Sequence, residues 1–172
     1  KGIIQTDGHS GYNFIEDNPD QINAGCWAHA RRRFFDAVKA AGEKAAPGLA
    51  HEAIDIIKDL YKIEKDARTN NLDFDKTQKL RQAEAKPVLD EFKKKLNKWK
   101  LVVTPKSLIG KAVKYSLNQW EKLIVYLSDG RIAIDNNSAE NVIRPFAVGR
   151  KNWLFNDSPE GAAAAAIFFS IL

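Results

Sequence analysis

The 172-residue sequence has no methionine and a single cysteine, Cys26, so no disulfide can form within the chain and the fold must rest on packing. No stretch approaches the roughly 18 uninterrupted apolar residues of a membrane-spanning helix. The opening Lys1-Gly2-Ile3-Ile4-Gln5-Thr6-Asp7 lacks the basic, apolar and small-residue order of a signal peptide. A cytoplasmic location without membrane association is expected. Histidine is scarce too, with three in the chain: Cys26 and His29 are spaced like half of a zinc site, but no second cysteine exists and only His9 and His51 remain, which argues against zinc. Internal repeats are absent as well.

What is present is the balance of an ordinary globular domain, 44% hydrophobic and 28% charged. The length suits one domain with a buried core, or one domain carrying a sizeable insertion. A net charge of +5 suits a polyanionic partner without requiring one. The chain begins on a strand already in progress and stops in the apolar run Phe168-Phe169-Ser170-Ile171-Leu172 without a cap, so a fragment of a longer protein is expected.

Gly2-Ile3-Ile4-Gln5-Thr6 is a short β-branched run ended by Asp7-Gly8, the pattern of a buried strand that delivers Asp7 to its C-terminal edge, where α/β sheets gather ligands. Ile22 to Cys26 offers a second short strand. From Trp27 the apolar period lengthens through Ala30, Phe34, Val38 and Ala41 to Gly42, predicting a helix. A second helix is predicted through Ala50, Ile54, Ile57, Leu60, Tyr61 and Ala67, and a third over 75–99 with a kink or break at Pro87. Ile109 to Leu127 holds the helical period throughout and predicts one helix closed by Gly130. Arg131 to Ile134 alternates like a strand or extended segment, and Asp135-Asn136-Asn137-Ser138 are good helix caps. A short helix from about Ser138 to Phe146 puts Glu140 in its first turn, at the positive end of the dipole. Lys151 to Phe155 predicts another extended run, and Ser158-Pro159-Glu160 a terminal helix with proline at its first position.

Strands at the two ends of the chain and helices between them predict an α/β fold: a mixed core of residues 1–44 and 129–172, interrupted by a mostly helical insertion at 45–128. Asp7 and Glu140 are the candidate pair for chemistry, because hard cations take carboxylate oxygens and paired metals serve phosphodiester chemistry. Spacing alone favours a turn residue before Gly8 and a glutamate that merely offsets a helix dipole.

Three segments change that balance. Gln5 to Tyr12 (Gln-Thr-Asp-Gly-His-Ser-Gly-Tyr), Gly25 to Phe34 (Gly-Cys-Trp-Ala-His-Ala-Arg-Arg-Arg-Phe) and Asp135 to Phe155 (beginning Asp-Asn-Asn-Ser-Ala-Glu) together resemble the insertion-sequence 66 family of bacterial transposases, in order and in separation. The resemblance spans essentially the whole chain. It implies a ribonuclease-H-like core, an Asp, Asp, Glu triad, and two magnesium (or manganese) ions for DNA cleavage and strand transfer. By motif, Asp7 is the second Asp and Glu140 the Glu, so the first Asp is expected upstream of Lys1 and the core to be incomplete, leaving this chain inactive alone. Asn141-Val142 stands where the family more often has Arg-Ala, which removes one charge beside the acid. His29, as part of the motif, is a candidate for a place near the scissile phosphate. Arg32, Arg33, Arg144, Arg150 and Lys151 are the candidate phosphate contacts, with transposon ends and target DNA as partners and a homo-oligomer as the active form. Arg31 to Arg33 span about 200° of helix, so at least one of them points elsewhere. The alternative is a non-catalytic DNA-binding or assembly module.

Overall fold

The computed structural model describes residues 2–42, 46–152 and 158–171. The described residues are mostly helical, with one small parallel sheet, rather than an even α/β mixture. They divide into two compact units, 1–136 and 137–172.

In the first unit, β1 (Gly2–Thr6) pairs in parallel with β2 (Gln21–Gly25), in register from Gly2 opposite Gln21 to Thr6 opposite Gly25. A 3-10 turn at Ser10–Ile15 lies between them, its Gly11 N–H capped by the His9 side chain, and buried Ile15 anchors it. Both strands were legible in the sequence. The expectation that β1 is buried was not met: Ile3 and Ile4 are exposed, as is Ile22 of β2.

Helix α1 (Trp27–Ala41) follows β2 directly and ends at Gly42, whose φ of +85° is a conformation glycine adopts without a Cβ penalty. Its buried stripe is Trp27, Ala30 and Phe34; Val38 is half-buried and Ala41 exposed, so the apolar period outlasts the burial. Helix α2 (Leu49–Thr69) buries Ala53, Ile57, Leu60, Ile63 and Ala67, a seam at three- and four-residue spacing. Asp73 caps α3 (Phe74–Leu80) by accepting the Lys76 N–H.

Pro87 does not break the chain. A π-helical turn, Arg81–Ala85, stands just ahead of α4 (Lys86–Val102), so proline falls in the first turn of α4, where its missing N–H costs little. Leu89, Phe92, Leu96 and Trp99 of α4 enter the core, and Phe92 meets the rings of Trp27, Phe34, Trp99 and Trp120 at centroid separations of 6.1–6.3 Å. The Trp27 indole N–H is satisfied by the Leu123 carbonyl at 2.9 Å.

The single helix expected from Ile109 to Leu127 is three elements. Helix α5 (Leu108–Asn118), capped by Ser107, stops at Gln119, where φ of −95° and ψ of 5° leave helical geometry; α6 (Trp120–Leu123) and a 3-10 turn at Val125–Ser128 follow. The unbroken apolar stripe reported burial, not continuity of the helix. Residues 131–134 were expected to be a strand or extended segment but form a turn and bends outside the sheet; the alternation shows only in burial, with Ile132 and Ile134 buried and Arg131 and Ala133 exposed.

The second unit contains α7 (Asn137–Asn152) and α8 (Pro159–Ile171). Helix α7 runs past the expected end at Phe146 and takes in Lys151 and Asn152, despite Pro145 inside it. These two residues are therefore helical rather than extended, and the remainder of that expected run, 153–155, lies outside the described residues. Proline opens α8 as expected, and the Ser158 hydroxyl accepts the Gly161 N–H at 3.1 Å.

Candidate functional site

Asp7 leaves the C-terminal end of β1 half-buried. One carboxylate oxygen, Oδ1, accepts the His9 N–H at 2.9 Å, an Asx turn that fixes the side chain against its own backbone. The strand beneath is tied down too: Thr6 donates to Asn23 Oδ1 at 2.9 Å across the sheet, and the Gln5 amide reaches both the Gly25 and Ala133 carbonyls.

The strongest brace comes from far along the chain. Tyr115, on α5, donates its hydroxyl to the Asp7 carbonyl at 2.6 Å. Burial raises the Tyr115 pKa above the ordinary phenol value, with the Arg33 charge pulling the other way, so the hydroxyl keeps its proton for this bond. The Arg33 guanidinium lies 4.0 Å over the Tyr115 ring, a cation–π contact that sets the arginine beside the Asp7 corner. Gly8 completes the turn with φ of +78°, and a Cβ there would lie 2.9 Å from Gln119 Cδ and 3.1 Å from the Tyr115 hydroxyl. The helix break at Gln119 thus serves the site, since it turns that side chain against Gly8. Gly8→Ala is expected to destabilise the protein by about 1–3 kcal/mol, through left-handed strain and this collision. Chemical denaturation measures it, and a change under about 0.5 kcal/mol would show that the turn relaxes freely.

Cys26 and His29 sit where α1 begins. Cys26 is fully buried, and burial pushes its thiol pKa up despite nearby N–H groups of Asn136, His29 and Ala28, so it is a poor nucleophile. His29 is half-buried in the first turn; Arg31, Arg32 and Arg33 are exposed. Close by, Tyr61 of α2 donates to Asp135 Oδ2 at 2.6 Å, and the Trp27 N–H bonds the Ile134 carbonyl at 3.1 Å. Burial first, and the Asp135 carboxylate second, push the Tyr61 pKa far up, which keeps it a donor. Residues 132–136 are therefore held by β1, α1 and α2 together.

In the second unit, Glu140 is half-buried in the first turn of α7, and Arg144, one turn on, shares its face and is exposed. Arg150 and Lys151 belong to the last turn of the same helix. The structure thus joins Asp7 and Arg33 through Tyr115, and aligns Glu140 with Arg144. Among the described residues no group of three or more His, Cys, Asp or Glu side chains comes together.

Tyr115, Gln119 and Tyr61 were not legible as site residues. Tyr61 reads as one apolar position in a helical stripe, and Tyr115 falls outside the stripe of α5. The one available signal was chemical: a tyrosine packed into a helical core needs a partner for its hydroxyl.

The family model described as Transposase IS66 family matches residues 1–164. Three curated proteins of Sinorhizobium fredii (strain NBRC 101917 / NGR234), the uncharacterized proteins y4hP, y4jD and y4qI, are similar at 32%, 31% and 33% identity, each over 99% of this chain. The chain spans 33%, 34% and 32% of their lengths, about a third in each case. No solved structure matches.

Proposed function

The chain belongs to the IS66 family of transposases, and from that premise we propose that it supplies two of the three carboxylates with which the whole enzyme holds divalent metal during DNA cleavage and strand transfer. Asp7 and Glu140 are those acids, and a first Asp elsewhere in the whole enzyme completes the set. The observation that carries this reading is the bracing of Asp7. A turn residue does not need a hydrogen bond to its carbonyl from a helix 108 positions away; an acid that must hold its place does.

The described sheet supports a ribonuclease-H-like core formed from residues 1–44 and 129–172, with 45–128 as a helical insertion. Parallel sheets are normally covered on both faces. Here Ile3, Ile4 and Ile22 are exposed on a two-stranded sheet, which suits further strands and cover contributed by the rest of the enzyme.

Carboxylate oxygens are the donors that hard divalent cations take, and among the described residues only Oδ1 of Asp7 is engaged, leaving Oδ2 for a cation. Asp7 and Glu140 would hold magnesium or manganese, two ions in the intact enzyme, which supply Lewis-acid stabilisation of phosphoryl oxygens and a more readily deprotonated nucleophile. The reaction is phosphoryl transfer, with water attacking for cleavage and a DNA 3′-hydroxyl for joining, and no covalent protein intermediate. Arg32 and Arg33 on α1, and Arg144, Arg150 and Lys151 on α7, neutralise and orient phosphates, with His29 near the scissile one. The partners are transposon ends and target DNA, engaged by a homo-oligomer in the cytoplasm.

A second reading, a DNA-binding or assembly module without catalysis, is favoured by the lack of any three-ligand cluster among the described residues. Nicking of supercoiled DNA, with magnesium, with manganese and with EDTA, separates the two. Metal-dependent nicking is expected from the protein at the length of its relatives and not from residues 1–172. If neither form nicks with either metal while both bind DNA in a salt-sensitive way, the module reading stands.

A further inference from the structure

Between Phe92 and Trp120 the chain carries eight lysines and no Asp or Glu. Three of the lysines are neutralised in the fold, Lys93 by Glu121, Lys94 by Glu91 and Lys95 by Glu52. The other five, Lys98, Lys100, Lys106, Lys111 and Lys114, form no ion pair among the described residues and are exposed. Like charges collected in one region repel and cost stability unless something opposes them.

Their placement is not that of a uniformly solvated surface. Lys100, at the end of α4, and Lys114, on α5, stand on the walls of one groove, which Val103, Pro105, Val113 and Leu117 line between them. Its volume, about 210 Å³, is below the roughly 300–1,000 Å³ of small-molecule sites, so a compact ligand is a poor fit. On α5 itself, Lys111, Lys114, Tyr115 and Asn118 fall within an arc of about 100°. That is the face whose Tyr115 hydroxyl bonds the Asp7 carbonyl and whose Tyr115 ring carries Arg33. A row of cations therefore runs from Lys100 and Lys114, with Lys111 beside them, to Arg33 and the Asp7 corner.

We propose that this face of α5, with Lys100 across the groove, is a track for a nucleic-acid phosphate backbone leading to Asp7. Lysine ammonium groups on flexible stems suit phosphates whose position varies, and binding of this kind is independent of base sequence. The helical block then does more than brace Asp7: it also holds the strand. The proposal rests on the transposase reading only for taking the polyanion to be DNA.

The test is duplex DNA binding by the 172-residue chain, followed by fluorescence anisotropy across a salt series. Lys100→Gln/Lys111→Gln/Lys114→Gln is compared with a control that removes the same charge from exposed positions of α2, Lys58→Gln/Lys62→Gln/Lys65→Gln. Glutamine is a good helix former, so both variants keep their helices. The track variant is expected to bind at least about tenfold more weakly at 0.1 M salt. Its plot of log affinity against log salt should be shallower by roughly 2–3, near 0.9 per lost phosphate contact. The control is expected to stay within about threefold of the parent with its slope unchanged. No DNA binding by the parent, an unchanged track variant, or equal losses in the two variants would each overturn the proposal. Asp7→Asn is the separating arm: binding does not depend on that carboxylate, so a failure of the catalytic reading appears in nicking and leaves the anisotropy result untouched.

Discussion

Asp7→Asn and Glu140→Gln are each expected to lower metal-dependent DNA nicking at least about 10²-fold, the scale on which one electrostatic contributor to phosphoryl transfer is missed. The assay uses the protein at the length of its relatives. Both substitutions remove a charge and almost nothing else. Asparagine retains an Oδ1 to accept the His9 N–H, and the Tyr115 bond goes to the backbone, so the turn at Asp7 and Gly8 survives. Glutamine at 140 keeps the size and hydrogen-bonding capacity of the side chain and gives up the favourable placement of an anion in the first turn of α7, about 0.3–1 kcal/mol. Unfolding midpoints should therefore barely move and DNA binding should persist while nicking collapses. Variants that nick at the parental rate would remove these two acids from the reaction.

Arg81→Met is expected to destabilise the fold by about 3–5 kcal/mol. Arg81 is fully committed: Nε and Nη2 grip the two oxygens of Glu64 at 2.7 and 2.8 Å, and Nη1 donates to the Tyr126 and Asp129 carbonyls at 2.7 and 2.9 Å. The side chains are 3% and 9% exposed, so water cannot replace what is lost. Removing the arginine strands the buried Glu64 carboxylate and Tyr126 carbonyl, while the Asp129 carbonyl keeps the Ile132 N–H at 3.1 Å. The double variant Glu64→Leu/Arg81→Met should recover part of the loss, because the stranded charge goes with its partner. Urea denaturation gives both numbers, and a single-variant effect under about 1 kcal/mol would mean that water reaches Glu64 after all. The pair also bears on the site, since the carbonyls it holds belong to the turn that leads into residues 131–136.

Much of this was written locally in the sequence. One β-branched run, a second short segment at 22–26 and the periods of α1 and α2 placed those elements nearly at their observed bounds, and Asp7-Gly8 announced a strand end with an acid on it. Misreadings arose where local pattern and tertiary demand part company. Periodicity carried straight through Gln119 because apolar residues continue on both sides, yet the chain turns there to set that side chain against Gly8. Lys151 and Asn152 read as extended from the neighbours that follow them, whereas α7 continues through both. Of the site, the acids and arginines were visible as motif. Tyr115 was not, because its role is a contact with a residue 108 positions earlier, which no window of sequence contains.

That same separation governs when the corner exists at all. Closing a loop of this length costs chain entropy that grows only slowly with its size, as (3/2)RT ln n, but it is repaid only after α5 has docked against α1. Before then β1 can form and still present Asp7 on an untethered end. An acid of this kind is harmless while loosely held, because phosphoryl transfer needs its ligands in register. By spanning nearly two-thirds of the chain, the Tyr115 contact makes the geometry of Asp7 a property of the finished fold and withholds it from the nascent or half-folded polypeptide.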